Sequence, residues 1–322
     1  MPRIAVLVLA HKAESLPYLT ALLPEPFEVF VHFDAKAGDP PDLKQHNVRY
    51  ITPRHAVYWG GFSMVEASLA LLHAAISTGD FERFLFISGD TLPVRHSASL
   101  AEALLWPHVE YIELKPIPDD PATHGQSREE ISARWGTGHA GRFYNFQYWD
   151  SLLTNPFTEA ELMRATGLDQ ANVQKLRGEA AHLVRSLAGR LPLRPRLFQK
   201  FFFGSQWWDL SRKLVERLQD QIFSDQTKEY FRFMEVPDEH YLPCIIGNQR
   251  EILEKNGQCI LGPPVFRDYA TEARGQAFAS AETLRGAAAN QCLLMRKFDP
   301  KAAPNVADAI LAGRYADEIL GL

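Results

Sequence analysis

Apolar residues run almost unbroken from Ile4 to Ala10, and a second run, Val29 to Phe33, stops at Asp34. Continuous runs of this kind predict strands buried on both faces, as in a parallel sheet covered by helices. Val48 to Ile51 and Phe84 to Ile87 predict two more strands, and residues 109–114 a fifth. Between them, residues 13–23 and 97–105 read as helices. Residues 62–78 place Met64, Ala67, Leu71 and Ala75 on one face of a longer helix. This alternation predicts an α/β fold with a mostly parallel, Rossmann-type sheet flanked by helices. Ligands of such sheets sit at the carboxyl ends of the strands, where His11, Asp34 and Asp90 fall.

After Lys115 the pattern changes. Residues 116–126 read as a loop, and 128–150 are rich in Arg, Gly and aromatics with weak periodicity. Helices are expected at 157–166 and 169–187, a loop at 189–195, an aromatic strand from Phe201 to Phe203, and a turn at Gly204-Ser205. A helix over 209–222 and a short helix from Asp238 follow. Strands near 259–269 and 292–296 and helices near 280–287 and 303–320 close the chain. Residues 1–115 thus read as a first half that binds a ligand at its strand ends. Residues 116–322 form a mixed α+β second half packed on it, the two making one compact unit.

Composition narrows the chemistry. With 46% hydrophobic and 23% charged residues among 322, the chain buries a large core. A net charge of -5 argues against a nucleic-acid footprint, so any anionic ligand must meet a local cluster of cations. Cys244, Cys259 and Cys292 form neither a disulfide framework nor a zinc site, which favours a reducing compartment. The apolar start is too short for a signal peptide or membrane span. Strand one is followed by His11-Lys12-Ala13-Glu14, with none of the glycines that a dinucleotide site needs.

Two charge pairs carry candidate chemistry. Pro237-Asp238-Glu239 reads either as a helix start or as a general base. Arg296-Lys297, between Leu294-Met295 and Phe298, reads either as a solvated pair or as cations for a departing diphosphate. Arg274 is a third such cation. Asp34 and Asp90 are turn residues or ligands of a nucleoside. No D-x-D motif occurs, so the usual carboxylate pair of a Mg²⁺ or Mn²⁺ diphosphate site is missing, and no metal is expected. Trp59-Gly60-Gly61-Phe62-Ser63 reads as a sharp turn into a helix, with Ser63 a possible cap. Trp207 and Trp208, beside Gly204-Ser205, suit either a sugar wall or the core.

In this order the segments resemble the core-2/I-branching β-1,6-N-acetylglucosaminyltransferases and peptide O-xylosyltransferases, glycosyltransferase family 14. The resemblance rests on Val31-His32-Phe33-Asp34, Tyr58-Trp59-Gly60-Gly61-Phe62-Ser63, Ile87-Ser88-Gly89-Asp90-Thr91-Leu92-Pro93, Phe203-Gly204-Ser205-Gln206-Trp207-Trp208, Pro237-Asp238-Glu239 and Leu294-Met295-Arg296-Lys297-Phe298. It implies a GT-A-like, inverting, metal-independent transferase with a UDP-sugar as co-substrate and no other cofactor, residues 1–115 being the nucleotide-sugar-binding half and 116–322 the acceptor-binding and catalytic half. By position, Glu239 is the implied base. Lys297, Arg296 and Arg274 hold the diphosphate, and Asp34 meets the uridine. Glu113, Arg134 and Tyr269 fall at acceptor positions, Tyr269 where the family usually has Trp.

The implied partners are a UDP-xylose or UDP-N-acetylglucosamine donor and a glycan, lipid-linked glycan or peptide acceptor. Without the anchor, stem and disulfides of animal members, the expected setting is the bacterial cytosol, with its inner membrane face as the alternative. Two rivals stay open: a non-catalytic nucleotide-sugar or glycan binding protein, and a glycoside hydrolase using Asp238 and Glu239.

Overall fold

The computed structural model describes residues 3–119, 128–136, 138–147, 159–176, 194–267 and 279–321. Its main sheet has seven strands in the order β10 (Cys259–Leu261), β6 (Val109–Tyr111), β9 (Trp208–Ser211), β4 (Arg83–Ser88), β1 (Ile4–Ala10), β2 (Phe27–Phe33) and β3 (Val48–Tyr50). β1 pairs in parallel with β2 and β4, as β2 does with β3 and β10 with β6. β9 runs antiparallel to both of its neighbours. The continuous apolar runs account for the centre of this sheet: every residue of β2 and β4 is buried, and all but one of β1. Helix Ser63–Thr78 packs on β1 and β2, burying Met64, Ala67, Leu71 and Ala75 as its periodicity predicts.

Helix 13–23 is shorter than its pattern, Leu16–Ala21, because Pro17 favours its first turn and Pro24 follows its end. The larger correction lies at 209–222. Trp208–Ser211 is not helix but β9, inserted between β4 and β6, and the helix runs only over Arg212–Ile222. Ser211 makes the switch by accepting the Leu214 N–H at 3.2 Å. Asp209 suits the strand because Arg83 on β4 donates to its carboxylate (Nε to Oδ2, 3.0 Å). The Ser211 N–H donates to Glu110 on β6 at 2.7 Å. A buried carboxylate without such partners is strongly disfavoured, so this strand's register depends on contacts from far along the chain.

Residues 128–150, weakly periodic in sequence, contain helices Arg128–Trp135 and His139–Gln147. Helix Glu159–Thr166 and a helical stretch over 170–176 are described. The remainder of 169–187, most of loop 189–195 and residues 120–127 lie outside the described residues. Short helices Asp225–Phe231 and Arg250–Lys255 were not expected from the sequence. The expected helix over 303–320 is divided into Pro304–Leu311 and Tyr315–Leu320 at Gly313, whose φ of 68° suits glycine.

A second sheet, in the order β11 (Val265–Arg267), β12 (Leu294–Arg296), β5 (Thr91–Pro93), sets Arg296 opposite Thr91. Its strand β12 therefore docks beside the end of β4, with Met295 and Phe298 buried in a separate cluster with Leu92, Val306 and Ile310. A short ladder joins β7 (Lys115–Pro116) to β8 (Phe202–Phe203). Strands from both sides of position 115 share the main sheet.

Candidate functional site

The carboxyl ends of β1, β2 and β4 open into a cleft of about 520 Å³. The strands approach closely there: a Cβ on Gly89 would sit 2.9 Å from the Ala10 Cβ, so that position needs glycine. His11, Asp34 and Asp90 line this cleft with Trp207, Glu239, Arg296 and Lys297, residues drawn from opposite ends of the sequence.

Asp34 caps the short turn Ala35–Ala37. Its Oδ1 accepts the Lys36 N–H at 2.9 Å and the Val57 N–H at 3.2 Å. The Lys36 ammonium lies 3.4 Å from Oδ2 and 4.1 Å from the centre of the Tyr58 ring. Lys36 and Trp59 also line the cleft. The sequence reading passed over Lys36; its place two residues after a strand-end carboxylate was the available signal.

Asp90 is paired with Arg296, Nη2 to Oδ2 at 3.3 Å and Nε to Oδ1 at 3.4 Å. Burial pushes the Asp90 carboxyl up, but Arg296, the Ser88 hydroxyl and nearby Lys297 more than offset this and hold it below the usual carboxylate range. The Arg296 guanidinium also lies 4.9 Å from the Trp207 ring centre. Lys297 is half-buried and makes no ion pair among the described residues.

Glu239 ends the 3₁₀ turn Pro237–Glu239. The preceding Val236 is left-handed, with φ 53°, a costly conformation for a β-branched residue. Its N–H donates to the Gly60 carbonyl at 2.9 Å, which fixes the Pro237–Glu239 turn to the Trp59-Gly60-Gly61 loop. Ser63 does not cap its helix; its hydroxyl closes that loop by accepting the Tyr58 N–H at 2.8 Å. The Glu239 carbonyl accepts the Gly204 N–H at 2.9 Å. Its carboxylate Oε2 lies 3.7 Å from both His139 Nε2 and Arg142 Nη1, two residues the sequence reading did not single out.

Pro237-Asp238-Glu239 does start a helical turn, with both acids in its first turn, but among the described residues no side chain caps it. The Asp238 Oδ1 is buried and has no hydrogen-bond partner among the described residues. Burial, and then repulsion from Glu239, push its carboxyl up to about 7. With about three residues per turn, the two neighbouring side chains diverge by roughly 120°, which does not suit a carboxylate pair flanking one bond.

The expected acceptor residues divide. Trp207 is on the cleft wall, stacked near Phe86 at 5.4 Å. Trp208, in β9, does not line the cleft and stacks on Phe86 at 5.3 Å; both tryptophans are buried. Glu113 accepts the Ser205 N–H at 2.9 Å, pairs with Lys115, and lines a separate groove of about 430 Å³. Arg134 is exposed on its helix, 5.5 Å from the Trp135 ring centre, and does not line the cleft. Arg274 and Tyr269 lie outside the described residues. Among the described residues no three His, Cys, Asp or Glu side chains cluster as metal ligands, and no helix is long and apolar enough to cross a membrane.

The family described as Core-2/I-Branching enzyme matches residues 5–128. That span carries β1 to β7 and the His11, Asp34 and Asp90 edge, and stops before Glu239 and Lys297. With the mixed, mostly parallel sheet, the similarity marks a glycosyltransferase of GT-A-like fold, acting between a sugar donor and an acceptor. No curated protein matches the chain at a significant level.

Proposed function

We propose that the protein is an inverting glycosyltransferase that moves xylose or N-acetylglucosamine from a UDP-sugar to an acceptor hydroxyl without a divalent metal. One observation carries this reading: Glu239 lines the same cleft as Arg296, Lys297 and the strand-end residues Asp34 and Asp90. A base and a set of cations are the two charges that the reaction needs. The acceptor oxygen attacks the anomeric carbon while the bond to the UDP oxygen breaks, and the electron pair leaves with the diphosphate. Glu239 takes the hydroxyl proton. Lys297, Arg296 and Lys36 supply positive charge where the leaving group gains negative charge. Asp34, fixed by two backbone N–H groups, stands at the β2 end for the uridine.

The test is UDP release from a donor panel headed by UDP-xylose and UDP-N-acetylglucosamine, with and without EDTA. The expected result is acceptor-dependent release that EDTA leaves intact. Calorimetric binding of a UDP-sugar with no release across a broad acceptor panel would identify a binding protein instead. Free sugar formed without acceptor product would identify a hydrolase.

A further inference from the structure

We propose that His139 and Arg142 are positioning residues for Glu239: they hold its Oε2 and so set the direction from which the carboxylate takes the acceptor's proton. The inference rests on the reading of Glu239 as the base. Both residues come from helix His139–Gln147, where a spacing of three places them on one face. Both approach the same oxygen at 3.7 Å. Catalytic hydrogen bonds are often that long before substrate binds and tighten in the reactive complex.

The His139 ring is fixed from the other side. It stacks on Phe203 with centroids 3.9 Å apart and planes 12° apart. Burial, and then Arg142, push the imidazole down to about 4, against the smaller opposing pull of Glu113, so it is neutral at physiological pH. A neutral imidazole has a single N–H. Among the described residues His139 Nδ1 is buried without a hydrogen-bond partner, so a proton there would be an unsatisfied buried donor. The geometry therefore assigns the proton to Nε2, facing Glu239. Arg142 spans a second carboxylate, its Nε 3.7 Å from Glu235 Oε1, one helical turn's length of sequence before Glu239. The Arg142 guanidinium thus lies within ion-pair distance of two acids, and its Nε is buried without a hydrogen-bond partner among the described residues.

His139→Phe keeps the stack on Phe203 and removes the N–H, while His139→Gln keeps a donor. With whichever of UDP-xylose and UDP-N-acetylglucosamine the wild type turns over, kcat of His139→Phe is expected to fall about ten- to hundredfold, with donor KM within about twofold. His139→Gln is expected to recover part of the loss, which a merely structural role does not predict. Arg142→Met, with Arg142→Lys as its rescue, reads the same oxygen if His139→Phe fails to fold. In ¹⁵N-histidine spectra of the wild type, His139 is expected to carry its proton on Nε2, with a shift that moves in Glu239→Gln. Unchanged kcat in both His139→Phe and Arg142→Met, beside an inactive Glu239→Gln, overturns this inference and leaves the transferase reading standing. Full activity in Glu239→Gln, or no UDP release by the wild type, defeats that underlying reading and the inference with it.

Discussion

Arg296 reaches back across the sequence to Asp90, with Nη2 3.3 Å from Oδ2. The cation proposed to meet the diphosphate is already anchored by a carboxylate just past the end of β4. Removing it leaves a part-buried carboxylate with only the Ser88 hydroxyl and nearby Lys297 to stabilise it, so Arg296→Met is expected to destabilise the fold by about 1–3 kcal/mol. Adding Asp90→Asn should recover much of that loss. Denaturant unfolding of the two variants measures both numbers; equal stability of Arg296→Met and wild type would contradict the pairing.

Lys297 has no ion-pair partner among the described residues, so its substitution separates chemistry from stability. Lys297→Met is expected to unfold at the wild-type denaturant concentration while kcat for UDP release falls about 10²–10³-fold. EDTA should change neither protein's rate. Strict dependence of wild-type turnover on Mn²⁺ would remove the cation argument.

Glu239→Gln keeps the shape of the side chain and loses its basicity. Turnover is expected to fall at least about a hundredfold while UDP affinity, measured calorimetrically, stays within about twofold. Near-wild-type turnover would show that another group takes the proton.

Asp238 makes stability depend on pH. Its folded value, about 7, lies above that of the unfolded chain, so the protonated form stabilises the fold. That contribution is complete below about pH 4 and is lost as pH rises through about 7. Asp238→Asn is neutral at every pH. Its melting temperature is expected to exceed wild type by about 2–4 °C at pH 8 and to match it at pH 4. A constant offset across that range would show that Asp238 is ionised in both states.

Gly204 sits where two site loops touch. A Cβ there would lie 1.9 Å from the Glu113 carbonyl oxygen, a backbone atom that cannot swing away. Gly204→Ala is expected to cost about 3 kcal/mol or more in denaturant unfolding. It should also lower turnover, because the Gly204 N–H holds the Glu239 carbonyl. Wild-type stability in this variant would mean that the β8 loop and Glu113 are not in contact.

Runs such as Ile4 to Ala10 and Val29 to Phe33 were legible as strands because burial on both faces leaves a local signature, an unbroken apolar stretch. Trp208–Ser211 had no such signature. Its alternation of Trp208 and Leu210 with Asp209 passes equally for the start of the helix that follows. Only Arg83 and Glu110, distant in sequence, decide that this segment is a strand.

The sequence by itself determined the parallel edge with His11, Asp34 and Asp90 at its rim, since strand ends follow directly from where apolar runs stop. It also marked Glu239 and Lys297 as charges worth explaining. The tertiary structure decided which charges meet. β12 docking on β5 delivers Arg296 to Asp90, and helix His139–Gln147 delivers two nitrogens to Glu239. Tertiary packing also set buried Trp207, and not buried Trp208, along the cleft wall. The division has a physical cause. Hydrophobic burial is a property of neighbouring residues and shows as a period along the chain, whereas pairing between charges depends on through-space distance, which no local pattern encodes.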